Sequence, residues 1–143
     1  MAALPIRTLH VLTMAALVGG TTVLWYSYRS GAIDSLVPGR QFEWLFWGGV
    51  GVLVLTGVGN LGALGPPGPG TDWGRTLLAK LTIVVVLVAG SAVRTLLLVQ
   101  AGDRVNTFDD LPPTIQRTLS RAYGATAAIL LGIVVLAEVL AHG

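Results

Sequence analysis

Of the chain's 143 residues, 53% are hydrophobic and only 11% are charged. A soluble domain carries close to a quarter charged residues, so there is no room for one beside the apolar segments. The formal net charge of +2 comes from arginines at segment ends rather than in one patch, so nucleic acid is not an expected partner. The absence of cysteine excludes disulfides, thiolate metal sites, cysteine-ligated iron–sulfur clusters and cysteine nucleophiles.

Four apolar segments follow one another along the chain. The first, roughly 6–28, opens behind Arg7. No small-residue cleavage site follows, and the run continues to Trp25 and Tyr28, so it reads as a retained span and not as a leader. It carries His10 and, four residues on and on the same helical face, Met14. The second, roughly 42–64, is rich in glycine (Gly48, Gly49, Gly51, Gly57, Gly59) and is expected to lie against several neighbours; Asn60 sits near its end. The third, roughly 73–100, has Lys80 near its start and Arg94 near its end. Arg94 reads as an interfacial anchor, with a pairing to Glu43 as the alternative. The fourth, roughly 119–142, ends on Glu138 and His142, again four apart.

Each segment meets the requirement of about 20 apolar residues for crossing a bilayer as a helix, and at this length only helices satisfy the backbone in lipid. The connections are short. Gly65-Pro66-Pro67-Gly68-Pro69-Gly70 makes a stiff link between the second and third segments, and Pro112-Pro113 predicts a stop before the fourth. Ala16 with Gly20, and Gly124 with Ala128 and Gly132, form small-residue faces for close helix packing. The expected fold is all-α: an antiparallel four-helix transmembrane bundle, one domain over 1–143.

Loop charge sets the orientation. Arg29, Arg40, Arg94, Arg104, Arg117 and Arg121 fall on one side, with Arg7, Arg75 and Lys80 on the other. The arginine-rich side is expected to be cytoplasmic, which puts both termini on the outer side. Trp25, Tyr26, Tyr28, Trp44 and Trp47 then gather at the inner interface and Trp73 marks the outer one, as aromatic belts do.

With alternating directions, His10, Asn60, Lys80 and Glu138 share one level in the outer half. An ionisable residue in hydrocarbon is costly, so this cluster is the first place to look for function. Three chemistries fit. A histidine with a thioether suits Cu(I). His10 and His142 are a pair of candidate axial ligands for haem b. Lys80 and Glu138 with His10 form a proton relay or a quinone-linked site. Each has a plainer alternative: His10 hydrogen-bonded to a neighbouring helix, Met14 filling the core, Lys80 reaching the outer interface and pairing structurally with Glu138, and His142 solvated near the chain end. No phosphate loop, nucleophile elbow, H-E-x-x-H helix or EF-hand is present, and no enzymatic activity is expected.

Several of these residues carry a family likeness. Leu9-His10-Val11-Leu12 with the later Gly19-Gly20 is similar to the histidine-led first helix of the copper-resistance protein D (CopD-like) family of bacterial membrane proteins. Trp73-Gly74-Arg75, then Leu77-Leu78-Ala79-Lys80-Leu81, resembles that family's aromatic-Gly-Arg, Leu-Leu, Lys-Leu run. Gly90-Ser91-Ala92-Val93-Arg94 resembles its Gly-x-x-Asn-Arg, with Val93 in place of the asparagine, and Arg117 and Arg121 resemble the basic residues before its fourth helix. The resemblance implies a multi-pass protein of the bacterial inner membrane that takes up copper from the periplasm, with His10 and Met14 as ligands. The membrane protoporphyrinogen oxidases, which bind haem, also pair an early histidine with a third-helix lysine. A further expectation is an accessory subunit, packed in the bilayer against other membrane subunits of a respiratory or photosynthetic complex, or against copies of itself, with no cofactor of its own.

Overall fold

The computed structural model describes residues 3–64, 68, 70–105 and 110–142, including their side chains except those of 3, 60–64 and 139–142. Four helices account for nearly all of it: α1 (Ala3–Ser30), α2 (Val37–Leu64), α3 (Asp72–Arg104) and α4 (Pro113–His142). All four are long and apolar enough to cross a membrane. At a rise of 1.5 Å per residue the shortest spans roughly 42 Å, more than the hydrocarbon core requires.

Two helices start earlier than their hydropathy suggests, α2 at Val37 and α4 at Pro113 instead of about 42 and 119. Both have proline in the first turn (Pro38 and Pro113), where the missing N–H costs nothing and the fixed φ favours a helix. Pro112-Pro113 is therefore a helix start as much as a stop. The ends are capped by chemistry the sequence supplies. The Thr71 hydroxyl accepts the Gly74 N–H at 3.1 Å, which caps α3. Gly31 takes φ 72° directly after α1, while the Ala32 N–H bonds the Ser27 carbonyl at 3.0 Å. That left-handed turn closes α1 and sends the chain back.

α1 packs against α2 and α4, and α3 packs against α4 and, more sparsely, against α2. The inward stripes repeat every three or four residues: Leu17, Thr21, Leu24 and Tyr28 on α1, and Leu87, Ser91, Arg94, Leu98 and Ala101 on α3. Two apolar clusters result. One joins Leu24, Tyr28, Leu36, Leu98, Leu119 and Tyr123. The other is built from Leu17, Phe46, Leu87, Leu130 and Ile133. The outer faces, with Leu12, Trp44, Leu55, Val85 and Val135, are exposed and apolar, as a lipid-facing surface requires.

The small-residue faces are used selectively. Gly20 lies against the Phe42 ring, and a Cβ on Gly124 would come within 2.7 Å of the Trp25 indole. Gly132, by contrast, has nothing near it, and neither have Gly48, Gly51, Gly57 and Gly59 on α2. Of the five glycines at 48, 49, 51, 57 and 59, therefore, only Gly49 meets another helix closely, through Leu17. The loops between α1 and α2 and before α4 are tied together, the Leu111 N–H donating to the Asp34 carbonyl at 2.8 Å and the Gln116 amide to the Ile33 carbonyl at 3.2 Å.

Candidate functional site

The largest fully buried side chain is that of Arg94, at 1% exposure. Its position on the inward stripe of α3 aims the guanidinium at α2 and α4. Nε donates to Glu43 Oε1 at 2.8 Å and Nη2 to Oε2 at 3.2 Å, a two-pronged ion pair. Nη1 donates to Thr126 Oγ1 at 2.7 Å. The guanidinium carbon also lies 4.2 Å from the Phe46 ring centroid and 4.9 Å from that of Tyr123, so both rings offer their electron-rich faces to the charge.

Glu43 is equally occupied. Its carboxylate accepts the Tyr123 hydroxyl at 3.0 Å and the Thr95 hydroxyl at 2.6 Å, and the Trp47 indole N–H donates to that same threonine at 3.0 Å. With Arg94 the carboxylate has four donors. The Tyr28 and Tyr123 rings stack beside the pair with centroids 5.8 Å apart. Gly39 allows both hydroxyls to come close, since a Cβ there would stand 2.8 Å from that of Tyr28. The network joins α2, α3 and α4 along the sparsely packed seam between α2 and α3. A saturated, electroneutral pair of this kind fixes helices in register; it is not a free acid or base.

Arg94 is therefore not the interfacial anchor the sequence suggests. The alternative, its pairing with Glu43, is what the structure holds. The signal was present: Arg94 falls on the same three-four repeat as Leu87 and Leu98, a core position for a charged residue. Trp47 likewise turns its N–H inward instead of serving only as a belt residue, whereas Trp44 is 85% exposed.

At the other end of the bundle His10 Nδ1 lies 2.7 Å from Thr56 Oγ1, bridging α1 to α2. Thr56 is buried, and its hydroxyl is also 2.7 Å from the Val52 carbonyl. A hydroxyl has one proton, and a carbonyl can only accept it. Thr56 therefore donates to Val52 and accepts from His10 Nδ1–H, which leaves the lone pair of His10 on Nε2. This hydrogen bond to a neighbouring helix is the plainer of the two roles expected of His10. It leaves the second ring nitrogen available.

Met14, one turn further along α1, packs against the cluster of Leu17, Phe46, Leu87, Leu130 and Ile133. Lys80 is half-buried on α3. Glu138 is exposed on α4. Asn60 and His142 belong to the last turns of α2 and α4, but their side chains lie outside the described residues. Among the described residues no three of His, Cys, Asp or Glu come together as a metal-holding group.

A family model described as Copper resistance protein D matches residues 39–140. The match takes in α2, α3 and most of α4, including every member of the Glu43–Arg94 network, and leaves α1 with His10 and Met14 outside it. No curated protein and no solved structure matches the chain.

Proposed function

We propose, from the premise that this chain belongs to the copper resistance protein D family, that it is a multi-pass protein of the bacterial inner membrane that binds Cu(I) as cargo near His10. The observation that carries this reading is the His10–Thr56 hydrogen bond, which orients the imidazole and leaves Nε2 as a donor. Neutral imidazole and thioether are donors that Cu(I) accepts, and Met14 follows one turn later on the same helix. A hydrogen-bond acceptor that holds the other ring N–H of a ligating histidine, and so fixes its tautomer, is a common device at metal sites. In this reading copper is not a resident cofactor and the chain is not an enzyme.

The helices run antiparallel, with both termini on the outer side. Contacts between opposite ends support the alternation: His10 with Thr56, Glu43 with Arg94, and Tyr28 with Tyr123. The excess of arginine in the loops at the Tyr28 end supports the orientation.

The test is Cu(I) binding to the purified protein in detergent, measured by competition with a chromogenic chelator. His10→Ala is expected to abolish measurable binding. Thr56→Val should weaken it less, by about 10–100-fold, because the imidazole stays but loses the hydrogen bond that orients it. Binding unchanged in His10→Ala removes copper from this site.

A second reading, an accessory subunit among other membrane proteins or a homo-oligomer, is favoured by the open glycines of α2. Gly48, Gly51 and Gly59 meet nothing in this chain, and small residues on a lipid-facing helix suit a further helix. The native mass of the endogenous protein in mild detergent, with co-purifying subunits identified, separates the two readings. A large stoichiometric complex favours the subunit, and a monomer the autonomous site.

A further inference from the structure

A cavity of about 380 Å³ opens between the last turns of α1 and the first turns of α4. Arg29, Arg117 and Arg121 line it together with Trp25, Gln116 and Ser120. The loop-charge rule accounts for arginines at this end of the bundle, but not for three of them around one opening. Arg40 and Arg104, at the same end, do not line it. No carboxylate lines the cavity either, and the ion pairs Asp72–Arg75 and Glu43–Arg94 use none of the three.

Two further features suit an anion. Arg29 is held over the Trp25 ring, with its guanidinium carbon 5.5 Å from the centroid, which fixes that charge at the mouth. Ser120, itself only 9% exposed, also lines the cavity. Its hydroxyl is a donor that an anion oxygen accepts. Pro113, the first residue of α4, also lines the opening, so the positive end of that helix dipole adds to the field.

We infer that this cavity binds a phosphate group, and that its source is the headgroup of an anionic phospholipid. The shared chemistry is a phosphate oxygen forked by guanidinium groups, with Ser120 as the deep hydrogen-bond partner. The lipid source follows from position: the cavity lies at the end of two membrane-spanning helices, beside a tryptophan, with exposed apolar Val23 and Tyr26 on the same stretch of α1 to meet the acyl chains. The site is independent of copper and distant from His10, so neither proposal falls with the other.

The test uses the full chain, delipidated in detergent and incubated with phosphatidylglycerol, with phosphatidylcholine or with inorganic phosphate. Native mass spectrometry reads bound lipid, and thermal unfolding reads stabilisation. Wild type should retain phosphatidylglycerol over phosphatidylcholine, and the double variant Arg117→Gln/Arg121→Gln should lower phosphatidylglycerol affinity roughly 30-fold, about fivefold for each arginine. Both arginines are exposed, so the fold is not at risk, and Ser120→Ala supplies an uncharged variant with the same expected direction. Equal retention of the two lipids, or wild-type affinity in the double variant, overturns the site. Stabilisation by inorganic phosphate equal to that by phosphatidylglycerol overturns the lipid as its source.

Discussion

Removing the guanidinium of Arg94 while Glu43 remains would leave a carboxylate buried among Phe46, Tyr123 and apolar helix faces. An uncompensated buried charge costs about 3–5 kcal/mol, so Arg94→Met is expected to lose about that much stability in reversible denaturant unfolding of the micelle-bound protein. The double variant Glu43→Leu/Arg94→Met should recover most of the loss, because the cost lies in the orphaned charge and not in the absence of the pair. Tyr123→Phe is the milder probe. It removes one of the four donors to Glu43 and keeps the ring stacked on Tyr28, with an expected loss of about 1–3 kcal/mol. At this scale the sequence was only partly legible. His10 could be singled out from its place in an apolar run, but its partner Thr56 is 46 positions away and reads as an ordinary helix threonine. Glu43 and Arg94 are 51 apart, so only their positions on the inward stripes could have pointed to the pair.

The helices themselves were the most legible part, since a run of more than 20 apolar residues admits one backbone solution in lipid. Their starts are less so: Pro113, which reads as a stop, opens α4, and Pro38 carries no apolar signal that would mark the first turn of α2. Glycine was the hardest residue to read. Its abundance on α2 suggested close packing at five positions, of which this chain uses only Gly49, while other close approaches fall at Gly39 near the start of that helix and at Gly20 and Gly124 on α1 and α4. A residue type shows what is sterically permitted at a position, and only the neighbouring helix decides whether the permission is used. Gly124→Val should therefore push against the Trp25 indole and loosen α1 from α4, lowering stability by about 1–3 kcal/mol. The same change at Gly132, which faces open space, should leave the thermal midpoint close to wild type.

On the scale of the whole molecule the two ends differ in how they are held. At the Tyr28 end the loops are hydrogen-bonded to each other and the buried network draws three helices together. At the His10 end the hydrogen bond from His10 to Thr56 bridges two helices, α1 and α2. Amide hydrogen exchange should accordingly be slower around Glu43, Leu98 and Tyr123 than around His10 and Thr56. That difference suits a cargo site, where a ligand must come and go, and it places the stiffness of the bundle away from the proposed copper donors.

The Glu43–Arg94 pair also bears on how the chain reaches the bilayer in the first place. Glu43 emerges from the ribosome 51 residues before its partner, and an unpaired charge opposes insertion, by on the order of 3 kcal/mol at a helix centre and by less toward its ends. Only the residues between Leu64 and Asp72 separate the two helices, short enough for α2 and α3 to enter as a hairpin with the charges already cancelling. In a translocon insertion assay α2 alone should insert less efficiently than α2 followed by α3, and Arg94→Gln in the longer segment should remove the advantage. The bond that holds the finished bundle would then also set the unit in which the membrane receives it.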